Sequence, residues 1–120
     1  IAAKLKKRGL KSQARKYANQ ALSNKPSMGK AYILIAGLYA DSANDCGNTQ
    51  FEKRAVYWLA ANMARKAASV DASIKKNALK TAVSYEGRAP SKTDIFTEGK
   101  EGVSVTFSCW IGTSVKVPKL

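Results

Sequence analysis

The sequence contains no histidine, only two cysteines and just eight acidic residues among its 120 positions. Without histidine, a catalytic triad built on an imidazole base cannot form. The two cysteines and the scattered acidic residues do not supply a zinc site either. We therefore expect a protein that is not an enzyme, with no catalytic residue, no metal site and no cofactor.

Long hydrophobic runs are missing as well. The longest apolar run, near residues 31–40, is far shorter than the roughly 20 residues of a membrane-spanning helix. No apolar signal region precedes a cleavage site at the N-terminus. We expect no transmembrane segment in this chain, and one domain with a modest core because 45% of the residues are apolar. Since the helical pattern begins in mid-helix at Ile1, we interpret the chain as part of a larger protein or assembly whose targeting segment lies upstream.

The basic charge is concentrated towards the N-terminus. The net charge is +13, and residues 1–30 contain nine Lys or Arg side chains and no acidic one. This segment is either a solvated helix face of biased composition or a surface for an acidic partner. Tyr17 is its only aromatic residue and no nucleic-acid-binding motif accompanies the charge, which favours the solvated face.

The chain repeats itself at an offset of 46 residues. The matching positions hold mostly small residues, which let two helices approach closely, and a tyrosine that fills the space beside them. The matched pairs are Ala14 with Ala60, Ala18 with Ala64, Ala21 with Ala67, Ser23 with Ser69, Lys30 with Lys76, Ala36 with Ala82 and Tyr39 with Tyr85.

This pattern resembles the tetratricopeptide repeat (TPR), whose motif reads W-x2-L-G-x2-Y, then A-x3-F, then P. The resemblance covers roughly residues 1–88, although alanine replaces the aromatic residue of A-x3-F and the offset exceeds the 34-residue period by 12. It implies a mainly α fold, a TPR-like solenoid of antiparallel helical hairpins. The matching residues are Ile1, Ala2 and Leu5; Ala14, Ala18, Ala21 and Pro26; Tyr32, Ile35, Ala36 and Tyr39; Ala60, Ala64, Ala67 and Ala72; and Ala78, Thr81, Ala82 and Tyr85.

The extra residues form an inserted loop at 41–49. Thr49 and Glu52 read as a capping box that restarts the helix after this loop. Ser27, and Asp71 or Ser73, are comparable helix starters, and Gly9 and Gly47 are natural sites for a positive backbone dihedral.

The last part of the chain changes from helical periodicity to alternation. Residues 103–111 and 114–117 predict two strands that turn at 112–113, and Ser91 predicts a capped turn or short helix. Because a lone hairpin is marginal in water, we expect it to pack on the helices. The resulting domains are 1–88, the helical repeats, and 89–120, a β-hairpin cap.

The order of an inserted Cys-Gly loop, an EKRAVYW helix, a PSKTDIF turn and the tail FSCWIG is similar to a group of TPR proteins from Gram-negative gliding-type bacteria. This resemblance implies an envelope-associated scaffold and no particular activity. It places the chain in the periplasm or cell envelope, with the cytoplasm as the alternative.

Each of the two cysteines lies in one of the two elements outside the repeat, and an envelope setting is oxidising. We therefore predict a disulfide between Cys46 and Cys109, which would fasten the β cap to the helices. The alternative is two free, buried cysteines in a cytoplasmic protein. Thiol chemistry at Cys109 is a further hypothesis, which the absence of a neighbouring histidine or CxxC motif disfavours.

In TPR proteins the ligand peptide usually lies along the concave face of the first helices. Asparagines that a carboxylate-clamp subtype requires are replaced here by Ala3, Gly37 and Val83, so we expect peptide or protein binding and not capture of a C-terminal tail. Trp58 and Trp110 could belong to a binding surface, but core packing is favoured for Trp110. By registration the partner-binding residues are Lys30, Ile33, Gly37, Lys76, Leu79, Lys80 and Val83.

The sequence thus favours a non-catalytic protein–protein interaction scaffold of the bacterial envelope. The alternative is a basic module that binds an anionic polymer, nucleic acid or lipopolysaccharide, through residues 4–16.

Overall fold

The computed structural model of the protein describes residues 11–107 and 109–119. The expectations for Ile1, Ala2, Ala3, Leu5 and Gly9, and for most of the basic stretch 4–16, lie outside these residues. The described part contains five α-helices, α1 (Lys11–Asn24), α2 (Gly29–Asp41), α3 (Gln50–Val70), α4 (Lys75–Glu86) and α5 (Lys92–Glu98), two 3-10 turns at Ala43–Asp45 and Ala72–Ile74, and two strands, β1 (Ser104–Thr106) and β2 (Ser114–Lys116).

A mainly helical chain with a short antiparallel sheet at its C-terminal end is therefore confirmed. Helices α1 to α4 pack in chain order, α1 against α2, α2 against α3 and α3 against α4. The long α3 begins where the sequence predicts, because Thr49 Oγ1 accepts a hydrogen bond from the Glu52 amide at 3.1 Å. The Glu52 carboxylate accepts a hydrogen bond from the amide of Asn48. In a regular capping box it would accept from the amide of Thr49.

Small residues form the crossing between α2, α3 and α4. Ala36, Ala61, Ala64 and Ala82 belong to one buried cluster and are at most 1% exposed. Three alanine pairs matched at the 46-residue offset are buried in both copies: Ala14 and Ala60, Ala18 and Ala64, and Ala36 and Ala82. Two other pairs differ, since Ala67 and Tyr39 are buried but Ala21 and Tyr85 are half-buried. The alanine pattern thus marks where helices approach most closely.

Enlarging Ala64 is expected to destabilise the protein. The change Ala64→Leu should lower the free energy of unfolding by about 1–3 kcal/mol, because the packed crossing has no room for an isobutyl group. Asn62→Leu, at an exposed position of the same helix, is the matched control and should change stability by less than about 0.5 kcal/mol. Urea unfolding of the three proteins measures both effects, and equal midpoints for Ala64→Leu and wild type would contradict the packing.

The C-terminal segment shares its hydrophobic core with the helices. Phe107 and Ile111 are 1% and 2% exposed, and they join a cluster that also contains Ile35 of α2 and Val56 of α3. Strand β2 packs on α3, so the sheet is docked on the helices as expected. The other members contributed by this segment are Ile95, Val105, Val115 and Val117.

The strands are shorter than the sequence predicts. Ser104–Thr106 and Ser114–Lys116 pair, with Val105 opposite Val115. The second strand is confirmed to within one residue of the predicted 114–117, whereas the first strand predicted over 103–111 and the two-residue turn at 112–113 are wrong. After Phe107 the chain leaves the sheet and turns onto the helices, where Trp110 and Ile111 pack against the core. Arg15 donates hydrogen bonds to the carbonyls of Trp110 and Ile111. The free energy from these bonds and from burial of the two side chains exceeds that of further strand pairing.

Two local expectations from the sequence are wrong. The residue before α2 is Met28 and not Ser27, and no side chain of its own segment caps this helix. Gly47 does not have a positive φ; instead, a Cβ atom there would lie 2.6 Å from the Lys53 amide nitrogen. Gly47 therefore lets the inserted loop touch the first turn of α3.

Candidate interaction groove

A shallow groove runs between α2 and α4. It encloses about 180 Å³, and its lining is mostly apolar, with Ile33 from α2 and Ala78 from α4 at its base. We call it the α2–α4 groove; its lining residues are Lys30, Ile33, Ile74, Asn77, Ala78 and Thr81.

Gly29 and Asp71 set the distance between the two helices at one end of the groove. A Cβ atom at Gly29 would lie 2.6 Å from Ile74 Cδ1 and 2.7 Å from Asp71 Cβ, so only glycine allows this approach. Asp71 Oδ2 accepts a hydrogen bond from the Gly29 amide at 3.1 Å, and its other oxygen accepts from the amide and hydroxyl of Ser73. The Ser73 hydroxyl is the main cause that lowers the pKa of Asp71, and the Gly29 amide adds to it. Asp71 is therefore the side chain that caps α2, across a sequence separation that local patterns do not show.

The seven residues expected to bind a partner are divided among several places. Lys30 and Ile33 line the groove. Leu79 is half-buried and packs against the cluster of Ala67, Ala68 and Ala78. The remaining ones, Gly37, Lys76, Lys80 and Val83, do not line the groove: Gly37 is half-buried, and the two lysines and Val83 are exposed, Val83 to 61%.

Four lining residues were not anticipated: Ile74, Asn77, Ala78 and Thr81. Ala78 and Thr81 already matched the repeat pattern, and Asn77 and Thr81 lie one turn apart on α4, so the periodicity contained a signal for them. Ile74 ends the 3-10 turn before α4, and its place in the groove follows from the close approach at Gly29.

The groove is flanked by lysines that have no counter-ion within residues 11–107 and 109–119. Lys30 belongs to the lining, and Lys76 and Lys80 are the chain neighbours of Asn77 and Thr81. None of the three forms an ion pair or hydrogen bond with a described residue. Nearby carboxylates are occupied: Glu86 binds Arg65 through both oxygens, at 2.6 and 3.0 Å, and Asp71 accepts the bonds described above.

Hydrogen-bonding groups in the groove differ in their availability. The Thr81 hydroxyl donates to the Asn77 carbonyl at 3.0 Å, so it is used within α4. The Asn77 carboxamide has no partner among the residues that the structure describes. The groove therefore offers an apolar base, one amide group and a positive margin.

A second feature, the cap anchor, fastens the C-terminal segment to the helices. The predicted pairing of Cys46 with Cys109 is confirmed, with their Cα atoms 5.3 Å apart and their sulfurs at bonding distance. Next to it, Trp110 Nε1 donates to the fully buried hydroxyl of Ser42 at 2.9 Å. Trp110 is half-buried and packs against Tyr39, so its predicted role in packing holds. The inserted loop at 41–49 thus holds the C-terminal segment in place.

Arg15 is the third part of the cap anchor. Its guanidinium donates to the carbonyls of Ile111 at 2.7 Å and Trp110 at 3.0 Å, and to the Tyr39 hydroxyl at 3.2 Å. It also lies 4.9 Å from the centre of the Trp110 ring. One side chain of α1 therefore satisfies two carbonyls from the other end of the chain.

Arg54 plays a similar part where α4 leads into α5. It donates to the carbonyls of Arg88 and Ala89 and forms an ion pair of 3.2 Å with Asp94. Asp94 also completes a capping box with Ser91, as the sequence predicted for a helix start. The Ser91 amide is the main cause that lowers the pKa of Asp94.

A larger crevice of about 360 Å³ lies beside α5, lined by Phe51, Arg54 and Asp94 among others. Two charged residues of its lining, Arg54 and Asp94, are already paired with each other. Among residues 11–107 and 109–119, no three His, Cys, Asp or Glu side chains are grouped to hold a metal ion. No helix in the described ranges combines the length and apolarity needed to cross a membrane.

Comparisons with known proteins give no match that bears on the groove or the cap anchor. A scan against protein-family models finds no match, and searches of curated proteins and of solved structures find no similar protein.

Proposed function

We propose that the protein is a TPR-like, non-catalytic scaffold that binds a peptide or protein segment in the α2–α4 groove. The observation that carries this proposal is the apolar groove flanked by Lys30, Lys76 and Lys80, all without a counter-ion in the described chain. The TPR resemblance is supported by three alanine pairs that are buried in both copies of the 46-residue offset and by the small residues at the helix crossing.

The size of the groove favours a side chain of a partner over a small molecule. Pockets for small ligands typically enclose about 300–1,000 Å³. The volume of the α2–α4 groove, about 180 Å³, lies below this range. A groove of this volume suits one aliphatic side chain that projects from a longer segment.

The disulfide of the cap anchor is consistent with an oxidising compartment. Disulfides persist in secreted and periplasmic proteins and are rare in the cytosol. The pairing of Cys46 with Cys109 therefore supports a bacterial periplasm or cell envelope as the location, in line with the resemblance to envelope-associated TPR proteins.

Filling the groove should abolish binding of a partner segment. The test first selects, from a library of displayed random peptides, those that bind the wild-type protein. It then measures the dissociation constants of the selected peptides for the wild type and for two variants. Thr81→Phe places a ring in the groove at a half-buried position, and Asn62→Phe places the same ring at an exposed position of α3. We expect dissociation constants at least about tenfold higher for Thr81→Phe, corresponding to the loss of one buried aliphatic side chain, and unchanged values for Asn62→Phe.

Two results would contradict the proposal: no peptide is enriched, or the selected peptides bind Thr81→Phe as tightly as wild type. Thermal unfolding of both variants checks that they are folded. The alternative function, binding of an anionic polymer, predicts instead an affinity for heparin that falls steeply with salt and is insensitive to Thr81→Phe.

A further inference from the structure

Two lysines lie along the outer side of α4 at the spacing of alternate residues in an extended chain. Lys76 and Lys80 are four residues apart, about 6 Å along a helix axis. Alternate side chains of an extended segment are about 6.6 Å apart and share one face. Two carboxylates at positions i and i+2 of an extended segment therefore match the spacing of the two lysines.

The α2–α4 groove lies beside the two lysines, Lys76 and Lys80, of α4. Lys76 and Lys80 precede Asn77 and Thr81 in the chain, and successive residues are about 100° apart around a helix. In an extended segment that runs along α4, the residue between two acidic ones points to the opposite face. Its side chain can then enter the groove between Ile33 and Ala78 while the flanking carboxylates reach the lysines.

We infer that the α2–α4 groove binds an internal, extended segment of a partner protein with the pattern acidic–aliphatic–acidic. This inference rests on the proposed function and specifies its ligand. The aliphatic side chain fills the groove of about 180 Å³, and the two carboxylates pair with Lys76 and Lys80. Lys30 supplies a third positive charge at the opposite margin, which favours an acidic over a basic segment.

Short labelled peptides test the pattern directly. They are acetylated and amidated, so that they carry no terminal charge, and contain Glu-Leu-Glu, the permutation Glu-Glu-Leu, the neutral Gln-Leu-Gln or the truncated Glu-Ala-Glu between serines. Fluorescence polarisation measures each dissociation constant. We expect Glu-Leu-Glu to bind about two- to thirtyfold more tightly than its neutral form, the combined effect of two exposed ion pairs, and measurably more tightly than its permutation. Glu-Ala-Glu should lose about tenfold because its methyl group leaves the groove unfilled.

Protein variants separate the specific contact from general attraction. Lys76→Gln combined with Lys80→Gln should weaken Glu-Leu-Glu binding about fivefold or more. Lys66→Gln combined with Lys92→Gln removes the same charge at exposed positions on α3 and α5, and should weaken it less than twofold. Equal losses in the two double variants would overturn the inference, as would equal binding of Glu-Leu-Glu and Glu-Glu-Leu.

The outcomes distinguish this inference from the proposed function. If every peptide binds alike but Thr81→Phe abolishes binding, the groove is an interaction site and the acidic–aliphatic–acidic pattern is wrong. If Thr81→Phe binds every peptide as wild type does, both are wrong. If no peptide binds at concentrations up to about 1 mM, the pattern is wrong, and the selection with displayed peptides decides the proposed function separately.

Discussion

Removing the disulfide between Cys46 and Cys109 is expected to lower the free energy of unfolding by about 4 kcal/mol. The bond joins residues 63 positions apart, and the chain-entropy account assigns about this stabilisation to a closed loop of that length. Since domains of this size are stable by about 5–15 kcal/mol, the loss is a large fraction of the total. The corresponding fall in melting temperature is on the order of 15 °C or more.

The measurement compares wild type and the variant Cys46→Ala/Cys109→Ala, each with and without a reducing agent. Reduction should lower the unfolding midpoint of the wild type and leave that of the variant unchanged. The reduced protein should remain folded at room temperature, because Arg15 and Ser42 still hold the segment around Trp110. Mass spectrometry of the unreduced, alkylated protein is the direct control: two alkylated cysteines would contradict the bond and weaken the envelope assignment.

Replacing Arg15 by methionine is expected to lower stability by about 2–4 kcal/mol. Methionine keeps much of the apolar stem but leaves the carbonyls of Trp110 and Ile111 without their donors, each at a cost of about 1–3 kcal/mol. The contact with the Trp110 ring is lost as well, which adds about 0.5–2 kcal/mol. Partial access of water to the half-buried site limits the sum.

Two further variants sharpen this test. Lys16→Met changes the next residue, which is exposed, and should alter stability by less than about 0.5 kcal/mol. Arg15→Lys should fall between Arg15→Met and wild type, since a compact ammonium group does not span two carbonyls as the planar guanidinium does. Chemical denaturation measures all three, and a stability of Arg15→Met equal to that of Lys16→Met would show that this arginine does not anchor the cap.

The disulfide and Arg15 hold the same segment, so their effects should be coupled. A double-mutant cycle that combines Arg15→Met with Cys46→Ala/Cys109→Ala is expected to deviate from additivity by more than about 0.5 kcal/mol. Additive losses would mean that the two contacts stabilise separate parts of the fold.

Local chemistry explains which features could be predicted from the sequence. The helix starts at Thr49 and Ser91 follow from side chains that bond amides three residues ahead, and such bonds need no other part of the chain. The alanine crossing follows from periodicity, since small residues at helical spacing permit close packing wherever the partner helix lies. The pairing of Cys46 with Cys109 followed from the count of two cysteines, their placement outside the repeat and the oxidising setting that the family resemblance implies.

The tertiary structure decided what depends on distant segments meeting. Asp71 caps α2 from 42 residues away, and Arg15 binds carbonyls 95 and 96 residues away, because a charged side chain satisfies whichever polar backbone group packing brings to it. The same packing shortened β1 and left only Lys30 and Ile33 of the seven expected binding residues in the lining of the groove. Periodicity determines which face of a helix is apolar, but the depth and margin of a groove depend on how closely two helices approach, and here Gly29 and Ile74 determine that distance.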